Sequence, residues 1–180
     1  EIQGTNTTPD SSSQLNKLIS LSRNNKAEVY GHLFTLWELH YVANINGKAC
    51  NYAVTQGLSC LHRSGNLNSL RTLNRPAIIR MFNPSGESAY AIITRLDDKN
   101  ATIHTGETEI VVDIATLDTH WFGSYTLLWK KPPYYQNALK PGSQGPAIQW
   151  LDQQLSRIYP QRESAAISDT YSEKLVIQIK

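Results

Sequence analysis

The residues whose types and spacing suggest chemistry are the two cysteines and five histidines of the chain. Helical patterning places Cys50 at the first turn of a predicted helix, where the helix dipole and free backbone N–H groups favour a thiolate. A cysteine hydrolase also needs a histidine within hydrogen-bonding distance of its nucleophile. His62 follows Cys60 closely and His104 lies on a predicted strand, so both are candidate bases. The five histidines that could in principle lie near a cysteine nucleophile are His32, His40, His62, His104 and His120.

Cys50 and Cys60 admit two interpretations. Neither belongs to a set of cysteines and histidines at the short spacings of a zinc site, so structural zinc is not expected. The two are either unrelated buried thiols or the halves of a disulfide. A continuous helix would separate them by about 15 Å, beyond the roughly 4.4 to 6.8 Å that a disulfide spans. A bridge therefore requires the helix to end between them, which Gly57 permits, and it would indicate an oxidising compartment.

Several classes of function have no support in the composition or the motifs. The net charge of +2 gives no broad positive field that would attract nucleic acid. The sequence has no Walker motif or phosphate-binding glycine loop, and no run of about 18 apolar residues that would span a membrane. The acidic pair Asp97 and Asp98 falls in a predicted turn, where solvated carboxylates are the ordinary case. We expect no cofactor, no resident metal, no nucleic-acid partner and no membrane insertion of this segment.

Helices are predicted in the first half of the chain, after a linker. Residues 1–13 are polar and rich in turn formers, which is typical of a flexible linker. Apolar residues recur at helical spacing from Gln14, and Asn25 with Glu28 forms a capping-box pattern that begins a second helix. The apolar residues of that helix are predicted to share one face: Val29, Leu33, Leu36 and Trp37. A third helix is predicted from Ala49, and a short one at Leu67, Leu70 and Leu73, closed by Arg75-Pro76.

Strands are predicted after Pro76, where β-branched and aromatic runs alternate with short turns. They fall at about 77–82, 89–96, 101–105, 109–112 and 123–129. Between the last two strands, Asp113 is predicted to cap a helical turn. Residues 14–135 are therefore predicted to form an α+β domain, in which helices are followed by an antiparallel sheet.

A second unit is predicted over residues 136–180, after the stiff Pro132-Pro133 exit. The helical spacing in this unit is carried by Ala147, Ile148, Leu151 and Leu155. Another helix is predicted from Tyr171 to Lys180. About 45 residues bury little surface on their own, so we expect this unit either to pack against the first unit or to have its remainder beyond Lys180.

Two sets of stretches, taken in order along the chain, carry a family resemblance. The first set is residues 49–53 (ACNYA), 57–61 (GLSCL), 73–78 (LNRPAI), 121–123 (WFG), 128–129 (LW) and 132–133 (PP). It resembles the periplasmic region of the general secretion pathway protein A family, the ExeA-like component of type II secretion systems. The second set is residues 139–142 (LKPG), Gly145, residues 148–151 (IQWL) and Leu155. It is similar to the opening of the small peptidoglycan-binding repeat that ends members of that family.

The resemblance implies a modular membrane protein with a scaffolding role. Its parts would be a cytoplasmic ATPase, one membrane span, a periplasmic domain with a fold like bacteriocin-processing cysteine peptidases, and a peptidoglycan-binding module. Because the chain begins with Glu1 rather than Met, we expect it to be a fragment of a longer protein, and the resemblance implies that the fragment is the periplasmic part. The implied partners are peptidoglycan, the type II secretion B component and the secretin, whose assembly or passage through the cell wall the protein would assist. A ring-shaped secretin is also compatible with a homo-oligomer.

The resemblance further implies a peptidase-like domain that has lost its catalytic groups. Cys50 stands where the peptidase relatives carry their nucleophile, Ala89 where they carry the histidine, and Thr105 near their aspartate. With Cys50 paired to Cys60 and no base present, an inactive domain is expected. The rival interpretation is an active cysteine peptidase or amidase that uses Cys50, with His104 or His62 as base.

The wall-binding repeat also departs from its family pattern. Asp152 stands where a glutamine is usual, and the glycine-rich second half of the repeat would lie beyond Lys180. We expect this chain to sediment with peptidoglycan more weakly than a chain extended by about 30 residues, the usual remainder of such a small module.

Overall fold

Seven helices and six strands make up the part of the chain that this computed structural model describes, namely residues 10–22, 26–106, 108–160, 168–172 and 175. The helices are α1 (Ser11–Leu21), α2 (Lys26–Thr35), α3 (Ala43–Asn46), α4 (Ala49–Thr55), α5 (Leu67–Leu73), α6 (Ile114–His120) and α7 (Pro146–Ile158). The strands are β1 (Leu58–Ser64), β2 (Ala77–Phe82), β3 (Ser88–Leu96), β4 (Asn100–Thr105), β5 (Thr108–Asp113) and β6 (Trp121–Lys130). The chain divides into two compact units, Glu1–Lys130 and Lys131–Lys180.

The six strands of the first unit form one sheet in the order β1-β6-β2-β3-β4-β5. Every neighbouring pair is antiparallel, and short turns join the successive strands from β2 to β5. The predicted α+β class, with helices and an antiparallel sheet, is confirmed. The five predicted strands correspond to β2 through β6, with ends that differ by at most two residues.

The sequence prediction did not include β1. Its sequence, LSCLHRS, contains no Val, Ile, Thr, Phe, Tyr or Trp, so it lacks the composition that marks a strand. The segment is nevertheless a strand because it pairs with β6 along its whole length, from Leu58 opposite Lys130 to Ser64 opposite Ser124. This edge strand carries both Cys60 and His62.

Helices cover both faces of the sheet, and each face has its own buried core. The face that packs against α1, α5 and α6, here called the α1 face, includes Ala91 and Ile93 of β3. The opposite face packs against α2 and α4 and is called the α4 face; it includes Ile92 of β3. Successive side chains of a strand point to opposite faces, so neighbouring residues in the sequence serve different cores.

The first two helices differ in detail from their predictions. Helix α1 begins at Ser11, within the segment whose composition predicts a linker; residues 1–9 lie outside the described part of the chain. Asn25, the predicted cap of the second helix, also lies outside it. The apolar stripe predicted to reach Leu36 is too long, because α2 ends at Thr35 and Leu36 is 50% exposed. Phe34, fully buried, is the residue that fills this part of the core.

The predicted ends of α4, α5 and α6 are confirmed. Helix α4 stops at Thr55, and Gly57 then adopts a φ of 72°, a left-handed conformation that glycine takes without strain. Helix α5 ends with Asn74 in the left-handed region, directly before Arg75-Pro76. At the start of α6, the carboxylate of Asp113 accepts a hydrogen bond from the backbone N–H of Thr116 at 2.8 Å.

The second unit contains α7 and a small core of its own. Ile148, Leu155 and Leu175 are buried together, as the helical spacing in this region predicts for the first two. The helix predicted from Tyr171 onward lies mostly outside the described residues. Within the described residues, no helix has the length and apolar character that a bilayer crossing requires.

Candidate functional site

Cys50 and Cys60 form a disulfide that joins the first turn of α4 to β1. The turn at Gly57 reverses the chain, so that the two Cα atoms lie 5.5 Å apart, well within the span of a disulfide. The disulfide interpretation is therefore confirmed, and the interpretation as two unrelated thiols is wrong. Both side chains are half-buried and border the core of the α4 face.

His62 lies directly beside this disulfide. Residues two apart on a strand share a face, so Cys60 and His62 both point to the α4 face of β1. The Nε2 atom of His62 is 3.5 Å from the Sγ atom of Cys50. Its Nδ1 atom shares a hydrogen bond of 2.8 Å with the hydroxyl of Thr126, the residue opposite on β6. Of the two candidate bases, the fold therefore places His62 at the cysteine.

Tyr30 of α2 closes the buried side of the group. Its hydroxyl lies 3.7 Å from the Cys50 sulfur. Burial raises the pKa of Tyr30 above its usual 10.0, and a hydrogen bond with Thr126 opposes that rise only in part. Tyr30 is therefore an uncharged hydroxyl at neutral pH, and Thr126 contacts both the phenol and the imidazole.

The other side of His62 opens to solvent. A cleft of about 470 Å³ lies beside it, and two basic side chains, Lys26 and Arg63, are among the residues that line the cleft. The ammonium group of Lys26 also lies over the rings of Tyr30 and Tyr90, 6.0 and 5.8 Å from their centroids. The electrostatic character of this cleft is positive.

The positions that the peptidase resemblance assigns to a histidine and an aspartate are not brought together with Cys50. Ala89 is buried in the core of the α1 face, on the far side of the sheet from the disulfide. Thr105 lies two residues after Ile103 on β4 and therefore points to the same side of the sheet, the α1 face. The β3 side chain that points to the α4 face at this level is Tyr90. The resemblance therefore assigns the catalytic histidine and aspartate to Ala89 and Thr105, whereas the residues that share the α4 face with Cys50 are each one position away along the strand.

The remaining histidines lie elsewhere. The Nε2 atom of His104 on β4 lies 3.0 Å from a carboxylate oxygen of Glu109 on β5. His32 and His40 are exposed and line a different cleft, of about 420 Å³. His120 is buried and holds α6 to α1 through a 3.0 Å hydrogen bond with Asn16.

The chemistry of the group depends on the state of its sulfur atoms. In the bridged form Cys50 has no thiol proton to lose and provides no thiolate for attack on a carbonyl. Reduction would leave two thiols beside one imidazole. Thr126 and Tyr30 were absent from the sequence-based site, because nothing local in the sequence indicates that residues 30, 62 and 126 meet.

A protein-family model described as "GspA, peptidase C39-like domain" matches residues 14–131. The match covers well over half of the chain, which therefore belongs to the GspA peptidase C39-like domain family. The family resemblance read from the sequence is confirmed for this part.

Relatives and one solved structure agree with that family. The chain is 29% identical over 154 residues to General secretion pathway protein A of Aeromonas hydrophila, covering 86% of this chain and 28% of the relative. It is 24% identical over 131 residues to a putative general secretion pathway protein A of Escherichia coli K12, covering 73% of this chain and 26% of the relative. The chain thus spans about a quarter of the length of these relatives.

The fold is similar to the crystal structure of a periplasmic domain of the EpsAB fusion protein of the Vibrio vulnificus type II secretion system. The TM-score is 0.54 at 21% identity, over 89% of this chain and 69% of that chain. At this level of identity the likeness concerns the fold.

Proposed function

We propose that this chain is a non-catalytic periplasmic region of a type II secretion protein of the GspA kind, which binds peptidoglycan and acts as a scaffold. The observation that carries the proposal is the Cys50–Cys60 disulfide in a peptidase-like domain. It ties up the sulfur at the position of the peptidase nucleophile, and disulfides are typical of the periplasm. The relatives named General secretion pathway protein A support assignment to that pathway.

The loss of peptidase activity is also supported by the sheet face beside Cys50. Peptidases of this kind need a base next to the thiolate and a carboxylate that orients the base. Tyr90 of β3 and His104 of β4 lie on the α4 face, and the His104 imidazole contacts Glu109 rather than the cysteine. We therefore propose that Tyr90, one residue along β3 from Ala89, occupies the place of the catalytic histidine.

Peptidoglycan would be bound through residues 136–180, and the B component and the secretin would be the protein partners. Asp152, in the position where the repeat family usually has glutamine, is buried and accepts a hydrogen bond from the backbone N–H of Ser168 at 3.0 Å. Its role is thus to hold the second unit together, and the contacts to the wall would come from exposed side chains.

Sedimentation with insoluble peptidoglycan sacculi tests the wall-binding part. We expect a fraction of the chain to pellet, and Ile148→Ala to reduce that fraction because it removes a fully buried side chain from the core of the second unit. Ile45→Ala is the matched control: it is the same substitution at a 78% exposed position on α3 of the first unit, so its pelleting should equal that of the parent. Pelleting no greater than that of an unrelated protein of similar charge would contradict the proposal.

A cysteine peptidase or amidase is the second candidate, favoured by the 3.5 Å approach of His62 to the Cys50 sulfur. The deciding assay uses the reduced protein with a peptide library and with peptidoglycan fragments, followed by mass spectrometry. We expect no cleavage. Cleavage that requires reduction and disappears in Cys50→Ala would establish the peptidase and overturn the non-catalytic proposal.

A further inference from the structure

We propose that reduction of the disulfide creates a binding site for a divalent cation of the Zn²⁺ class, with Cys50, Cys60 and His62 as its three protein ligands. The proposal goes beyond the scaffolding function and does not depend on it. The spacing of these residues in the sequence does not match a zinc motif, and it is the turn between α4 and β1 that brings them together.

The distances between the three potential ligand atoms suit a tetrahedral ion. The two Sγ atoms and one imidazole nitrogen all lie within 4.8 Å of one another. Ligands at 2.0 to 2.3 Å from a tetrahedral Zn²⁺ are separated by about 3.3 to 3.8 Å, and the Cys50 Sγ to His62 Nε2 distance is already 3.5 Å. Once the bond between them is broken, the two sulfur atoms have to separate from bonding distance to about 3.8 Å, with the Cys60 sulfur about 3.6 Å from the imidazole nitrogen. Among the described residues, this is the one group of three histidine, cysteine or acidic side chains that converges in this way.

The surroundings of His62 are those of a metal-ligating imidazole. Such a histidine usually uses one ring nitrogen for the metal and the other for a hydrogen bond that fixes the ring. Here Nδ1 shares its hydrogen bond with the Thr126 hydroxyl at 2.8 Å, and Nε2 points to the Cys50 sulfur. The Tyr30 hydroxyl, 3.7 Å from the same sulfur, is placed to donate to a thiolate.

The fourth coordination position would be open. His62 is exposed and borders the cleft of about 470 Å³, so a water molecule can reach the ion. Three protein ligands and one open position are the pattern of reactive rather than structural zinc sites. Two thiolates balance the charge of the divalent ion.

The redox step requires a dithiol reductant. The reductant gives two electrons and two protons to the disulfide, the S–S bond breaks to leave two thiols, and the reductant becomes a disulfide itself. The cation then displaces the two thiol protons to solvent and accepts an electron pair from each sulfur and from the imidazole nitrogen. Soft and borderline ions such as Zn²⁺ and Co²⁺ are favoured over Mg²⁺ and Ca²⁺ by this ligand set.

Cobalt titration of the full chain tests the site. The protein is reduced with a dithiol, which is removed by anaerobic gel filtration, and Co²⁺ is added with and without competing Zn²⁺. We expect one equivalent to bind, with sulfur-to-cobalt charge-transfer absorption and tetrahedral ligand-field bands that Zn²⁺ abolishes. The oxidised protein should give neither signal.

Variants then separate this site from other thiol binding. His62→Ala should weaken Co²⁺ binding at least about 10-fold, and Thr126→Val by about 10- to 100-fold with the thiolate absorption retained. His104→Ala is the matched control, a half-exposed histidine on another strand, and should bind as the parent does. The proposal is overturned by equal binding to the oxidised protein, by affinity unchanged in His62→Ala, or by a reduced chain that loses its native circular dichroism and does not regain it with Zn²⁺.

Discussion

Two glycines allow β1 and β6 to meet just beyond the site residues. Gly123 has a φ of 84°, and a Cβ atom there would collide with the backbone carbonyl oxygen of Gly65. The N–H of Gly65 in turn donates to the carbonyl of Gly123 at 3.0 Å. The contact is between two backbones, so a side chain at position 123 cannot be accommodated by a rotamer change. It fixes the strand pair that holds His62 against Thr126.

Gly123→Ala should therefore lower the free energy of unfolding by about 3 kcal/mol, the sum of backbone strain and a clash that cannot relax. The matched control is Gly86→Ala, with a similar φ of 81° but nothing within 4 Å of the added Cβ. It should lose only about 1 kcal/mol, the cost of the left-handed conformation. Urea denaturation measures both, and equal losses in the two variants would show that the contact with Gly65 has no energetic weight.

At the residue scale, the sequence allowed us to predict only those parts of the site that lie close together along the chain. The disulfide joins residues only 10 apart, and His62 follows Cys60 by two positions, so a turn at Gly57 was enough to infer their neighbourhood. Thr126 is 64 residues from His62, and only the β1–β6 register brings them together. The assignment of Ala89 and Thr105 shows the same limit, because an offset of one residue along a strand reverses the face to which a side chain points.

At the element scale, the disulfide holds α4 to the edge strand β1. We expect Cys50→Ser/Cys60→Ser to lose about 2 to 3 kcal/mol of unfolding free energy, since the bridge closes a loop of about ten residues in the unfolded chain. Urea denaturation with and without a reductant measures the difference. The parent should become less stable on reduction, whereas the double variant should not respond. A parent whose midpoint is unchanged by complete reduction would contradict this estimate.

The cap of α6 predicts a specific dependence on pH. Hydrogen bonds from the Thr116 side chain and backbone N–H hold the pKa of Asp113 below its ordinary value of 3.8. The stabilisation is thus fully present above that ordinary value and is lost as the pH falls through the lower pKa of the folded state. At pH 7, Asp113→Ala should cost about 1 kcal/mol, and Asp113→Asn much less, because an amide oxygen also caps a helix.

The amide variant is the control for the charge of Asp113. The stability of the parent should fall more steeply than that of Asp113→Asn as the pH drops below about 4, since only the parent has this carboxylate to protonate. Thermal denaturation over that pH range gives the comparison. Identical pH profiles for the two proteins would mean that the hydrogen bonds from Thr116 do not depend on the charge.

Among the elements, those with a strong pattern of their own were predictable and β1 was not. Strands β2 and β3 each contain two adjacent isoleucines and one aromatic residue, and turn residues lie between them. Strand β1 depends on its partner β6 for its conformation, and a tertiary contact of this kind leaves no periodic signal. Helix α2 likewise ends at Thr35, before the exposed Leu36, while Phe34 is fully buried.

At the scale of the whole molecule, the two units carry different parts of the proposal. The family match ends at residue 131, close to the boundary between the units after Lys130. The first unit contains the sheet, the disulfide and both clefts described above. The second unit has a small core of buried apolar residues that includes Ile148, Leu155 and Leu175. We therefore propose that the first unit is a peptidase-like domain without catalytic activity and that the second, smaller unit binds the cell wall.

This division predicts that wall binding is independent of the redox state of the cysteines. Both cysteines lie in the first unit, so the oxidised chain, the reduced chain and Cys50→Ser/Cys60→Ser should pellet with sacculi to the same extent. Circular dichroism of each sample confirms that the proteins compared are folded, which matters because the bridge contributes about 2 to 3 kcal/mol to stability. If reduction lowers pelleting and the double serine variant reproduces the loss while remaining folded, contacts with the wall would have to be assigned to the first unit. The disulfide would then be part of the binding surface, and the proposed role of residues 136–180 would be wrong.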